Sequence, residues 1–228
     1  MTASPAVPAQ SGPADPNGLG LMRQVGRHGY REATGHGEGG PASKRIVVAY
    51  GFWIFLLSDI VMFSAFFAAH GVLAGQTAGG PSGRDLFDLN RVALETALLL
   101  ASSFTCGLGS LATARRSMAG TQIWLLVTGL LGFAFLVLEF REFAGMIAEG
   151  AGPGRSAFLS SFFALVGCHG LHVSAGLLWL GTMMAQLWVK GFRPNVLRRL
   201  LCFNLFWHAL DIIWVALFTI VYLLGVGR

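Results

Sequence analysis

The chain has 228 residues, of which 54% are hydrophobic and only 12% charged. A water-soluble domain carries about a quarter charged residues, so the composition excludes an ordinary soluble enzyme and indicates a multispanning membrane protein. The net charge of +5 reflects basic loops on one side of a bilayer rather than a nucleic-acid surface. Cys106, Cys168 and Cys202 are widely spaced within apolar runs, form no CxxC pair, and read as small buried hydrophobes rather than a disulfide framework.

Residues 1–45 are rich in Gly, Pro, Ala and Ser and almost lack bulky apolar residues. Such a segment cannot bury a core, and the expectation is a disordered cytoplasmic tail. It contains no apolar stretch long enough for a cleaved signal peptide. His28 and His36 lie there and are read as solvated.

A membrane-crossing helix needs about 20 predominantly apolar residues. Five segments qualify, at residues 46–73, 92–114, 122–148, 157–189 and 200–226. The connectors carry turn chemistry: AGGPSG at 78–83, AGPG at 151–154, and Arg193-Pro194-Asn195. The predicted fold is all-α, a polytopic membrane bundle of five transmembrane helices.

Lys and Arg predict its orientation. Arg23, Arg27, Arg31, Lys44, Arg45, Arg115, Arg116, Lys190, Arg193, Arg198 and Arg199 fall on one side; Arg84, Arg91, Arg141, Arg155 and Arg228 fall on the other. This asymmetry puts the amino terminus in the cytoplasm and the carboxyl terminus outside. Trp53, Trp124, Trp179 and Trp188 include candidate interfacial anchors, whereas Trp207 and Trp214 sit deeper.

Polar residues inside the spans carry the functional signal, because ionisable groups in lipid are costly and normally face a protein interior. Ser58 and Asp59 lie about thirteen residues into the first span, about 20 Å at 1.5 Å per residue. Glu95 opens the second span. Glu139 and Glu142 in the third are three apart and share a face, as do His169 and His172 in the fourth. Asn204, His208 and Asp211 form one stripe in the fifth. Antiparallel third and fourth spans bring Glu139 to the depth of His169. The expectation is an interior network of carboxyl, imidazole and amide groups that joins the helices, with small residues such as Gly132 and Gly176 allowing close approach. In such a network Glu142→Ala strands a buried partner, at about 1–3 kcal/mol.

Three readings of the histidines stay open. His169, His172 and His208 form a candidate metal or haem ligand set, although no Glu-x-x-His pair of the kind that builds helical metal sites occurs. A proton-conducting chain is a second reading. Structural hydrogen bonding between helices, without catalytic residues or a bound metal, is the third and the one the residues favour. The phenylalanine-rich runs FFALVG and FSAFFAAH read as packing and lipid contact.

The motifs GFWIFLLSDIVMFSAFF (51–67), LETALLLASS (94–103), EFREF (139–143), GPGRSAFLSSFFALVGCHGLHVSAGLLW (152–179) and WHALDIIWVALFTIVYLLG (207–225) occur in order in every span. Together they resemble subunit III of the haem-copper respiratory oxidases. The likeness is strongest to the quinol-oxidising branch, the cytochrome o ubiquinol oxidases. Five spans are present where many cytochrome c oxidase versions have seven. The first span carries Asp59 where mitochondrial-type subunits usually carry a carbodiimide-reactive glutamate; Asp59 is one methylene shorter, so that reactivity is not carried over.

The resemblance implies a subunit that binds no cofactor itself and is non-catalytic alone. It implies haem and copper in subunit I, ubiquinol as substrate of the complex, and oxygen reduced to water with proton translocation. It further implies partners in subunits I and II and a small subunit IV, phospholipids in a helical cleft, support of assembly and proton uptake, and a place in a bacterial inner membrane. The alternative within the family is a cytochrome c oxidase subunit. Outside it stand an intramembrane metalloenzyme using His169, His172 and His208, and a stand-alone proton channel.

Overall fold

The computed structural model describes residues 43–81 and 83–227. The expected tail, with His28 and His36, lies outside the described residues. Five helices are long and apolar enough to cross a membrane: α1 (Lys44–Leu73), α2 (Leu89–Ala114), α3 (Met118–Ala148), α4 (Ala157–Lys190) and α5 (Pro194–Leu217). A single helical turn, Gly83–Leu86, precedes α2, and α5 continues into a π-helical segment, Phe218–Leu223.

Local chemistry sets the ends. Asp88 caps α2 by accepting from the Asn90 N–H at 3.0 Å, Ser117 caps α3 through Gly120 N–H at 3.3 Å, and Ser156 caps α4 through Leu159 N–H at 3.2 Å. Gly191, at φ 63°, ends α4 in a backbone region that costs glycine little. The fifth helix starts at Pro194 rather than Leu200, because proline fits the first helical position, where its missing N–H would lack an intrahelical acceptor.

Helices α2 to α5 form a four-membered ring of neighbours, with α2 against α3, α3 against α4, α4 against α5 and α5 back against α2. The α1 backbone keeps its distance and meets the ring through large side chains. Phe52 lies 5.8 Å from Trp179, and Phe63 lies 5.3 Å from His172, between ring centroids. Near the far end of α1, the His70 Nδ1 and Ser161 hydroxyl are 3.0 Å apart.

Side chains such as Phe104, Leu130, Leu171, Trp188 and Ile212 are exposed on the outer faces. The interior contains Ser102, Thr105, Thr121, Thr128 and the glutamates alongside apolar groups. That distribution suits a hydrocarbon surround, where helices associate through small residues and interhelical hydrogen bonds. At Gly132 and Gly176 the approach is close enough to exclude a methyl group: an added Cβ would meet the Trp207 ring at 2.8 Å and 2.9 Å respectively.

Candidate functional site

Three polar groupings emerge inside the bundle. The first joins α2 to α5. Ser103 Oγ and His208 Nδ1 are 2.6 Å apart. The Trp207 indole donates to Ser102 Oγ at 3.1 Å, and Ser102 donates to the Thr128 carbonyl on α3 at 3.0 Å. Asn204 accepts from the Cys106 thiol and donates back to the Leu200 carbonyl. Asp211 is half-buried, with Oδ1 lacking a hydrogen-bond partner among the described residues.

The second grouping lies between α1, α4 and α5. Asp59 and His172 line one small void together with Phe63, Leu56 and Phe206. His172 Nδ1 lies 2.7 Å from the Cys168 carbonyl one turn earlier. His169, three residues from His172, is fully buried among aromatic rings: Trp214 at 5.3 Å, Phe135 at 6.0 Å and Phe63 at 6.4 Å. Neither of its ring nitrogens has a hydrogen-bond partner among the described residues.

The third grouping is acidic and lies toward the end of the bundle that carries Phe87 and Asp88. Glu95 of α2 and Glu139 and Glu142 of α3 are buried, at 0%, 3% and 5% exposure. The Tyr222 phenol of the π-helical segment, also at 0%, lies within electrostatic range of all three. Aromatic rings enclose it: Phe87 at 4.7 Å, Phe162 at 5.8 Å and Trp214 at 6.2 Å. Arg91 and Asp88, both exposed, stand at its edge. Among the described residues, no carboxyl oxygen of the three glutamates has a hydrogen-bond partner, and the Tyr222 hydroxyl is equally without one.

The structure therefore distributes the nine expected residues differently from a single network. Asn204, His172 and His208 have hydrogen-bond partners; Glu95, Glu139, Glu142 and His169 have none. Glu139 and His169 do not hydrogen-bond to each other. Alongside His208 and Asn204, the interhelical bonds fall to hydroxyls, indoles, a thiol and the Gln122 amide, which the sequence did not single out. Trp214 reaches Thr96 at 3.1 Å, and Gln122 reaches the Met184 carbonyl at 2.9 Å. Among the described residues, no group of three or more His, Cys, Asp or Glu side chains has the arrangement to hold a metal ion. His169, His172 and His208 are thus not assembled as a ligand set.

An open apolar groove of about 430 Å³ runs between α1 and α5, lined by Trp53, Phe63, Ser64, His208, Ile212 and Ile220 among others.

Comparison with known proteins decides the family. The family model for cytochrome c oxidase subunit III matches residues 17–226, nearly the whole chain. The chain belongs to the cytochrome c oxidase subunit III family. Similar members include a cytochrome bo(3) ubiquinol oxidase subunit 3 of Pseudomonas aeruginosa, 54% identical over 77% of this chain and 84% of that one. The corresponding Pseudomonas putida subunit is 52% identical over 77% and 85%. A quinol oxidase subunit 3 of Bacillus spizizenii is 45% identical over 78% and 87%. The five-helix, strand-free architecture among the described residues agrees with membership of this family.

Proposed function

We infer that this chain is subunit III of a ubiquinol oxidase. The observation that carries the reading is the group of relatives named ubiquinol or quinol oxidase subunit 3, at 45% to 54% identity across about three quarters of the chain. The complex takes electrons from ubiquinol and reduces oxygen to water at haem and copper held by subunit I. This chain contributes no redox centre. Its partners are subunits I and II and a small subunit IV, in a bacterial inner membrane, with the amino terminus cytoplasmic as the Lys and Arg distribution suggests.

Its work is structural support of the complex, including its assembly and proton uptake. The groove between α1 and α5 is the place for a phospholipid acyl chain. Its lining is overwhelmingly apolar, and it opens between α1 and α5 on the outer face of the bundle.

The test is affinity purification of the tagged full chain from its native membranes in mild detergent. The reading expects haem-bearing subunit I to co-purify in equal amount. Isolation of the chain without a haem-copper subunit overturns it.

A further inference from the structure

The acidic grouping brings together buried polar groups that influence one another electrostatically yet make no hydrogen bond to each other. Glu95, Glu139 and Glu142 are mutually within electrostatic range, and Tyr222 is within range of all of them. Their carboxyl and phenol oxygens nonetheless lack any partner within hydrogen-bond distance. Four side chains from three elements meet in this way, each at least nine-tenths buried. Buried polar groups are almost always satisfied, by protein or by ordered water. Polar contacts longer than about 3.5 Å are the usual place for a bridging water.

The alternatives fit less well. A directly coordinated metal needs ligands converging on one point, and no such convergence exists among the described residues. Without water, several acceptors and the Tyr222 O–H would stay uncompensated, and unsatisfied buried polar groups are costly. Water has both donors and acceptors, so it can serve carboxyl and phenol groups alike. Arg91 and Asp88, both exposed, are within electrostatic range of Glu142 and mark the side nearest the aqueous phase.

The π-helical segment explains how Tyr222 arrives. The i→i+5 pattern of Phe218–Leu223 inserts extra rotation at the end of α5, and Val221 and Tyr222 turn inward while Leu223 and Leu224 face out. We propose that Glu95, Glu139, Glu142 and Tyr222 form a binding site for a cluster of ordered water molecules, which exchanges with the aqueous phase at the end of the bundle beside Arg91. The cluster supplies the hydrogen bonds that the chain itself omits. It also places exchangeable protons beside three carboxyl groups and a phenol in the same half of the membrane. His169, walled off by Trp214 and Phe135, is outside it.

The experiment uses the intact, purified oxidase complex and does not depend on which electron donor the complex takes. The tyrosine C–O–H infrared band of Tyr222, isolated by subtracting the spectrum of the Tyr222→Phe complex, is followed after transfer to heavy water. A hydrated chamber shifts the band within the mixing time despite complete burial of the side chain. A band that stays unshifted over hours overturns the proposal. If the Tyr222→Phe complex does not assemble, a high-resolution cryo-electron microscopy map of the wild-type complex decides. Solvent density bridging at least two of the four side chains supports the proposal. A chamber closed by direct carboxyl–carboxyl or carboxyl–phenol bonds, or filled by a coordinated ion or by a side chain of an adjacent subunit, overturns it.

Discussion

The Trp207 indole on α5 donates to the Ser102 hydroxyl on α2 at 3.1 Å, and the Ser102 O–H donates in turn to the Thr128 carbonyl on α3 at 3.0 Å. One hydroxyl thereby ties three helices together. Ser102→Ala leaves the buried indole N–H without an acceptor. Interhelical bonds in membrane bundles are worth about 0.6–2 kcal/mol. A double-mutant cycle of Ser102→Ala with Trp207→Phe, read by unfolding of the purified chain in detergent, gives a coupling energy in that range. A coupling of zero means the bond is not made.

The same indole fixes the spacing of α3, α4 and α5. A Cβ at Gly132 would lie 2.8 Å from the Trp207 ring and one at Gly176 2.9 Å, whereas a Cβ at Gly181 meets nothing within 4 Å. Gly132→Ala and Gly176→Ala overpack the interface and cost about 1–3 kcal/mol. Gly181→Ala is neutral to slightly stabilising. Thermal unfolding of the three variants side by side gives the order.

How much of this was legible in the sequence follows from what each feature depends on. The helices were, because length and apolarity alone define a span. The start of α5 was not, because Pro194 ends a loop or begins a helix according to the backbone around it. Asp59 and His172 were recognised and do share a void. Their neighbour His169 was expected beside Glu139, but helix rotation, which spacing within one span cannot fix, turns it into an aromatic box. Tyr222 was missed altogether: only the π-helical turn brings it to the glutamates, and a π segment leaves no simple sequence signal. His70 stood in plain view in FSAFFAAH, read as packing; its bond to Ser161 spans two helices far apart in sequence.

Glu142 illustrates the difference in energetic terms. A networked carboxyl, removed, strands its partner. The Glu142 oxygens have no partner among the described residues, so Glu142→Ala strands none of them. Its effect on the thermal stability of the assembled complex stays within about 1 kcal/mol, below the cost of Ser102→Ala, whose loss does leave a buried donor unpaired. Thermal unfolding of the two variant complexes compares them directly.

His70 and Ser161 provide a bond near one end of α1, a helix whose backbone keeps away from the others. Ser161→Ala removes it and leaves the His70 Nδ1 buried without its partner, at about 1–3 kcal/mol. Hydrogen exchange rises selectively in α1 near His70 and Gly71, with α2 and α3 unchanged. Uniform protection across the five helices contradicts this.

The groove between α1 and α5 gives a further expectation. Ala216 lines it, and Ala216→Trp fills part of its volume of about 430 Å³. The complex then co-purifies with less phospholipid per haem than wild type, measured by phosphorus analysis. Unchanged lipid content places the acyl chain elsewhere.

Oxygen uptake by the complex purified through a tag on this chain tests the central claim most directly. With ubiquinol as donor the uptake is rapid and abolished by cyanide, and reduced cytochrome c supports none. Rapid uptake with cytochrome c and none with ubiquinol would place the chain in the cytochrome c oxidases and contradict the account.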